Sequence, residues 1–192
     1  LGWPAVSAVC AAVCMTLIFG IVWSRALGCD RELGLLTGGA VGICGASAAM
    51  AISAVLPESE AKQRQTLFTV IGVTAFSTAA MVFYPIVGDA LGLSATDMGF
   101  FIGATFHDVA QVVGAGYSVS PETGDLATFV KLLRVAMLVP IVMAIAFLCR
   151  VSSPAHSADK VSTPPFPLFL LGFIALFLLN NTVVLPGVLT EG

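Results

Sequence analysis

Long uncharged runs alternate with short charged segments along this chain. No Asp, Glu, Lys or Arg occurs in residues 1–24, 33–57, 65–88 or 161–190. A helix needs about 20 predominantly apolar residues to cross the hydrocarbon core of a bilayer, and each run reaches that length. The pattern therefore predicts an all-α fold, a polytopic transmembrane helix bundle that forms one domain over residues 1–192.

Six apolar segments follow from this pattern, at residues 3–23, 33–57, 65–88, 98–117, 126–149 and 166–185. The first has no basic region before it and is too long for a signal peptide core, so we interpret it as a spanning helix. Residues 150–165 are rich in Pro and Ser and predict a polar linker. The chain starts at Leu1 without Met, and we expect it to be an incomplete portion of a longer protein.

Composition narrows the class of protein further. Charged residues make up 10% of the chain and hydrophobic residues 58%, with a mean hydropathy of +1.01. An ordinary soluble domain is about 25% charged, so a soluble enzyme is excluded. The net charge of -3 comes without a basic stripe, so we expect a lipid bilayer and no nucleic acid as partner.

The five cysteines are expected to be free thiols, because their number is odd and most lie in apolar runs. Cys10 and Cys14 share a helix face, but no His or carboxylate accompanies them, so we expect no metal site and no cofactor. The motifs HExxH, GxSxG and the P-loop are absent from the sequence, and we expect no enzymatic activity.

Segment two, residues 33–57, contains too much glycine for an ordinary transmembrane helix. One interpretation is a small-residue stripe, formed by Gly34, Gly38 and Gly42, along which another helix packs closely. The other is that residues 38–45 interrupt the helix. Irregular backbone at membrane depth is tolerated only where it is buried in protein or lines a cavity, so an interruption would mark a substrate or ion site.

Segment four, residues 98–117, carries His107, Asp108 and Gln111 in an otherwise apolar stretch. Ionisable residues at membrane depth are costly and usually face a bundle interior or a wet cavity, which indicates a functional site. His107 and Gln111 are four residues apart, so we expect them to share a helix face. The alternative is an interfacial stretch whose polar groups reach headgroup water.

Segment five carries Lys131 and Arg134 three residues apart, with Pro140 in its middle. Two alternatives are open for the cations. In the first, their side chains snorkel to the membrane surface. In the second, they are the positive charges near segment four and attract an anion there. Pro140 removes an intrahelical hydrogen bond and predicts a kink.

The remaining Lys and Arg residues lie in the loops and bear on topology. The loops at 24–33, 57–65 and 150–164 hold two each, and the loops at 88–97 and 117–125 hold none. If every segment crosses the membrane, alternate loops carry four against two. If segments two and four are both re-entrant, each leaves the membrane on the side from which it entered. One side then carries six Lys and Arg residues and the other none, which the positive-inside rule favours. A crossing helix that is broken at its middle stays an alternative.

Three strings, in this order, resemble the YeiH-like bacterial inner-membrane proteins that are labelled sulfate exporters. They are GGAVGICGASAAMA (38–51), FIGATFHDVAQVVGAG (101–116) and TFVKLLRVAMLVP (128–140). The resemblance covers nearly the whole chain, and family members are longer. It implies a multi-pass protein of the bacterial inner (plasma) membrane, with a fold similar to sodium/proton antiporters and bile-acid symporters. Such folds contain inverted repeats with discontinuous helices.

The resemblance also implies the residues of a site. Gly42, Cys44, Gly45, Ala46 and Ser47 would form a broken-helix element. His107, Asp108 and Gln111 would form the polar element beside it, and Lys131 and Arg134 match the family's basic pair. Members of the family more often have Glu at the position of Asp108.

Three functions are compatible with these residues. The first is a secondary transporter, an exporter of a small anion such as sulfate or a related oxyanion, with substrate-binding groups at Gly42–Ser47, Gln111, Lys131 and Arg134. His107 and Asp108 would couple it to protons. The second is a cation/proton exchanger that uses Asp108. The third is a membrane scaffold or partner subunit without transport activity. The sequence leaves a homodimer open.

Overall fold

The computed structural model describes residues 3–152 and residue 172. Residues 3–152 are helical and contain no strand, which confirms the predicted all-α class. The eight helices are α1 (Trp3–Ala26), α2 (Arg31–Gly42), α3 (Ala46–Ser53), α4 (Glu60–Ala90), α5 (Ala95–Thr105), α6 (Val109–Val119), α7 (Pro121–Ala136) and α8 (Leu138–Ser152). The sixth predicted segment, 166–185, lies outside the described residues except for residue 172. Most of the predicted linker also lies outside them, and α8 takes up its first residues, 150–152.

Three stretches are long and apolar enough to cross a membrane, by length and composition: Val6–Ala26, Glu60–Ala90 and Pro121–Cys149. Large apolar side chains such as Phe19, Phe83 and Phe147 are exposed on them, as expected for surfaces that face lipid.

Two prolines affect these long helices differently. The helix α4 extends beyond the predicted 65–88 at both ends and continues through Pro85. In the third stretch, α7 ends at Ala136 and α8 begins at Leu138. Pro140 lacks the N–H that would donate to the Ala136 carbonyl, which explains the interruption, and the predicted kink stays a prediction.

The helices α1 and α2 are joined by a short loop and pack closely through glycine. A Cβ atom at Gly34 would lie 2.7 Å from the Gly20 carbonyl oxygen and 2.8 Å from the Ile21 Cα, and one at Gly38 would lie 3.1 Å from the Leu17 Cα. The order of these contacts makes the two helices antiparallel. The prediction of a small-residue stripe is confirmed for Gly34 and Gly38.

The chain turns back between α2 and α3. Gly45 has φ +68°, in the left-handed region that favours glycine, and residues 43–45 are not helical. A Cβ atom at Gly39 would contact Ile52, while Ala40 and Ala49 pack together against α4. These pairings show that α2 and α3 lie side by side and antiparallel. We call residues 31–53 hairpin A.

Both ends of hairpin A contact the start of α4. Gln65 Nε2 donates to Asp30 Oδ2 over 2.9 Å, just before α2 begins. Thr66 Oγ1 donates to Ser53 Oγ over 2.8 Å, where α3 ends. Because Gln65 and Thr66 are neighbours, hairpin A begins and ends at the same level of the fold.

The helices α5 and α6 repeat this arrangement beside α7. Thr123 Oγ1 donates to the Ala95 carbonyl over 3.1 Å, at the start of α5. A Cβ atom at Gly116, near the end of α6, would lie 2.9 Å from the Gly124 Cα. Both ends therefore lie at the first turns of α7. We call residues 95–119 hairpin B.

One expectation for segment four is wrong. Residues 106–108 are not helical, so His107 lies in the turn of hairpin B while Gln111 lies on α6. The two side chains do not share a helix face. The spacing of four residues indicates a shared face only within one continuous helix.

A matched pair of glycine substitutions tests the close packing of α1 on α2. Gly34→Ala should lower the free energy of unfolding by about 1–3 kcal/mol, because its Cβ meets backbone atoms that cannot move aside. Gly72→Ala on α4 meets nothing within 4 Å and should be neutral or stabilising by up to about 1 kcal/mol. Thermal unfolding in lipid nanodiscs measures both, and equal effects would show that α1 and α2 are not in backbone contact.

Candidate functional site

The turns of the two hairpins meet in the interior of the described fold. A Cβ atom at Gly45 would lie 3.3 Å from the His107 carbonyl oxygen and 3.4 Å from the His107 Cβ. Residues 43–45 and 106–108, far apart in sequence, are therefore neighbours. We call the place where they meet the junction.

Lys131 of α7 links both hairpins at the junction. Its side chain is 0% exposed. Nζ donates to the Ile43 carbonyl over 2.7 Å and to the Phe106 carbonyl over 2.8 Å. One ammonium group therefore holds the carbonyl-bearing turns of hairpin A and hairpin B together.

Arg134, one turn further along α7, also donates hydrogen bonds to both hairpins. Nε donates to the Gly42 carbonyl over 2.9 Å, and Nη2 donates to the carbonyls of Val41 (2.8 Å) and Gly42 (2.6 Å). Nη1 donates to the Ala104 carbonyl near the end of α5. The last carbonyls of a helix have no intrahelical partner and carry the negative end of the helix dipole, so cations suit both positions.

These contacts exclude one of the two alternatives for the basic pair. Snorkelling to the surface is wrong, because Lys131 is fully buried and Arg134 is only 7% exposed. Neither cation forms an ion pair within residues 3–152, where the recorded ion pair joins Lys62 and Glu58. Carbonyl oxygens, not carboxylates, accept the hydrogen bonds of both cations.

The helices that leave the junction differ in how their first N–H groups are satisfied. Gly45 precedes α3 and provides no side-chain cap. Ser47 is exposed in the first turn, and its hydroxyl donates to the Cys44 carbonyl and sulfur, each over 3.0 Å. The predicted group Gly42, Cys44, Gly45, Ala46 and Ser47 thus lies together at the turn of hairpin A, and the N-terminus of α3 has no side-chain cap.

Asp108 caps the second of these helices. Its Oδ1 accepts a hydrogen bond from the Ala110 N–H over 3.0 Å at the start of α6, and the residue is exposed. The carboxylate therefore already has a local role at a helix N-terminus, where negative charge is favourable.

Gln111 lies on α6 but contacts α4. Ser77 Oγ donates to Gln111 Oε1, and Gln111 Nε2 donates to Thr78 Oγ1 over 3.4 Å. The amide therefore ties hairpin B to the long helix α4, and its hydrogen bonds are not made at the junction. Sequence reasoning missed Ser77 and Thr78, since nothing in their local pattern marks them.

His107 lies at the junction and is half-buried, and its Nδ1 is buried without a hydrogen-bond partner in the described structure. The imidazole also lines a cavity of about 490 Å³ between α2 and α4. Within the described part of the chain, no three His, Cys, Asp or Glu side chains lie close enough to hold a metal ion.

Comparison with known proteins gives the family. The model of the family described as Conserved hypothetical protein 698 matches residues 1–191. The chain belongs to this family. It is 47% identical to the UPF0324 membrane protein TauZ of Paracoccus denitrificans, over 100% of this chain and 56% of that protein. It is 48% identical to a UPF0324 membrane protein of Chlorobaculum tepidum, over 100% of this chain and 53% of that protein.

The chain spans about half the length of the curated relatives it matches. No solved structure matches it. The names of the relatives and the three long apolar stretches identify a multi-pass membrane protein of bacteria, as predicted. The narrower resemblance to YeiH-like exporters and to antiporter folds stays a prediction.

Removing the lysine tests the junction as a structural element. Lys131→Met should destabilise the protein by about 3 kcal/mol, because two charge-assisted hydrogen bonds are lost and two buried carbonyls are left without a donor. Arg64→Met removes an exposed cation from α4 and is the control. If thermal unfolding in nanodiscs gives the same midpoint for both variants, Lys131 does not hold the hairpins together.

Proposed function

We propose that this chain is part of a secondary transporter for a small anion, such as sulfate or a related oxyanion, which binds at the junction. The observation that carries the proposal is the pair of buried cations, Lys131 and Arg134, without a carboxylate partner among residues 3–152. Two buried positive charges that only one carboxylate offsets are costly, and an anionic ligand would relieve that cost.

The balance of charge at the junction supports an anion. Four helix ends meet there, two N-terminal and two C-terminal, and each carries about half an elementary charge of opposite sign, so that their effects cancel approximately. The side chains then decide the sign. Lys131 and Arg134 contribute two positive charges and Asp108 one negative charge, which leaves the junction positive when His107 is neutral.

The cations attract the anion in this proposal but do not bind it directly. The hydrogen bonds of Lys131 and Arg134 already go to backbone carbonyls. The donors left for a ligand are the first N–H groups of α3, because Gly45 provides no side-chain cap. The hydroxyl of Ser47, which donates to Cys44, would exchange that hydrogen bond for one to the anion. Free N–H groups at a helix N-terminus bind oxyanions readily.

Proton coupling is assigned to His107 and Asp108. His107 lies at the junction, and its Nδ1 has no hydrogen-bond partner among the described residues, so this nitrogen is available to take up a proton. A cation exchanger built on Asp108 receives less support, because that carboxylate is exposed, caps α6 and lies near the buried Lys131.

We propose that hairpins A and B re-enter the membrane from opposite sides and that their turns meet inside it. The support for re-entry is that the two ends of each hairpin lie at the same level of the fold. Hairpin A begins and ends beside the start of α4, and hairpin B begins and ends beside the start of α7. Each hairpin is followed by a long apolar helix, so residues 31–90 and 95–152 would form two units of inverted orientation.

The loop charges agree with this topology. With three crossings, the loops at 27–30 and 54–59 and the end of α8 lie on one side, and the loops after α4 and α6 lie on the other. Among residues 3–152, all five Lys and Arg residues that do not belong to the junction then lie on the first side. The positive-inside rule assigns that side to the cytoplasm.

Cysteine labelling in intact cells tests the re-entry of both hairpins. In a background without other cysteines, Cys29 and Glu58→Cys, before and after hairpin A, should react only after the cytoplasm is made accessible. Leu91→Cys and Glu122→Cys, before and after hairpin B, should react with an impermeant maleimide from outside. Labelling of Cys29 and Glu58→Cys from opposite sides would show that hairpin A crosses the membrane.

Anion binding is tested by thermal stabilisation of the purified full-length protein with sulfate, phosphate and methanesulfonate between pH 5 and 8. We expect at least one oxyanion to raise the unfolding midpoint. Ser47→Ala should weaken its binding roughly 10- to 100-fold, the effect of losing one hydrogen bond to a charged ligand. Ser118→Ala, on α6 away from the junction, should leave binding unchanged. The absence of stabilisation by every oxyanion would refute the proposed anion site.

A further inference from the structure

The cavity beside His107 has the size and lining of a site for an organic molecule. It measures about 490 Å³ and lies between α2 and α4. Leu33 and Val41 of α2 and Val73 and Phe76 of α4 make most of its wall apolar. Pockets for small organic ligands typically have roughly 300–1,000 Å³, an apolar lining and a few polar groups that fix orientation.

Two polar atoms in this wall are buried and have no hydrogen-bond partner in the described structure: Thr69 Oγ1 and His107 Nδ1. Thr69 is only 6% exposed, so its hydroxyl is shielded from solvent. Native proteins rarely leave buried polar atoms unpaired, and an unpaired group indicates a missing partner such as a ligand. Both atoms are available to a ligand that occupies the cavity.

We propose that this cavity binds the apolar part of the transported anion, so that the substrate is an organic anion and not a bare inorganic oxyanion. The head group, a sulfonate or carboxylate, lies on the His107 side of the cavity, toward the positive junction. The hydrocarbon body extends along Val73 and Phe76. This inference rests on the proposed anion transport and specifies its substrate class.

Gly72 provides a way to fill the cavity without disturbing the fold. It lines the cavity from α4, and a Cβ atom there would meet nothing within 4 Å. A leucine at this position therefore extends into empty space and also improves helix propensity. Thr74, two residues along the same helix, is exposed and points about 200° away from Gly72, so Thr74→Leu adds a similar side chain outside the cavity.

The experiment measures binding of a homologous series of alkanesulfonates, from methane- to hexanesulfonate, to the full-length protein in nanodiscs, with 1-hexanol as the uncharged control. We expect affinity to rise about fourfold with each methylene that is buried, the fold-change that corresponds to its transfer out of water. Gly72→Leu should abolish this rise and Thr74→Leu should preserve it.

Three results distinguish a failure of the organic-anion inference from a failure of the proposed anion transport. Equal affinity for all sulfonates, unaffected by Gly72→Leu, would overturn the organic-anion inference while leaving the anion site at the junction intact. If 1-hexanol bound as tightly as hexanesulfonate, the cavity would bind hydrocarbon without regard to charge. This result would also overturn the organic-anion inference. If neither sulfate nor any sulfonate binds, the proposed anion transport fails together with the inference.

Discussion

Backbone carbonyls at the ends of helices need hydrogen-bond donors, and an apolar surrounding offers them no water. In this protein α2 and α5 end in the interior of the fold, and the donors come from Lys131 and Arg134 of a single helix. The two cations bond to residues up to 93 positions away in sequence. The meeting of the two hairpins, and every property assigned to the junction, depends on these contacts.

The same contacts explain why a site can form where the hairpins turn. Lys131 and Arg134 compensate the negative ends of two helices, while the helices that begin at the junction, α3 and α6, present their positive ends. Asp108 caps the N-terminus of α6, whereas no side chain caps the N-terminus of α3. In the proposed transporter, structural cations therefore set the sign of the electrostatic field, and α3 with Ser47 provides the direct contacts. A residue essential for the junction need not touch the substrate.

Sequence patterns predicted the helical class, the long apolar stretches and the glycine-rich and polar segments that the structure brings together. Local patterns failed where the answer depends on distant partners. The spacing of His107 and Gln111 suggested one face, but the chain turns between them, and Gln111 bonds to α4 instead. The burial of Lys131 depends on carbonyls of two separate hairpins, which no local pattern around the lysine records.

The most direct test of the central claim is the distance from the Lys131 ammonium nitrogen to the two carbonyls that it bridges. Solid-state NMR of the full-length protein in lipid, with ¹⁵N-lysine and ¹³C-carbonyl labels on Ile and Phe, measures dipolar couplings to Ile43 and Phe106, and Lys131→Arg assigns the signal. We predict that one ammonium nitrogen is coupled to both carbonyls. Coupling to only one of them, or to neither, would contradict a junction held by Lys131.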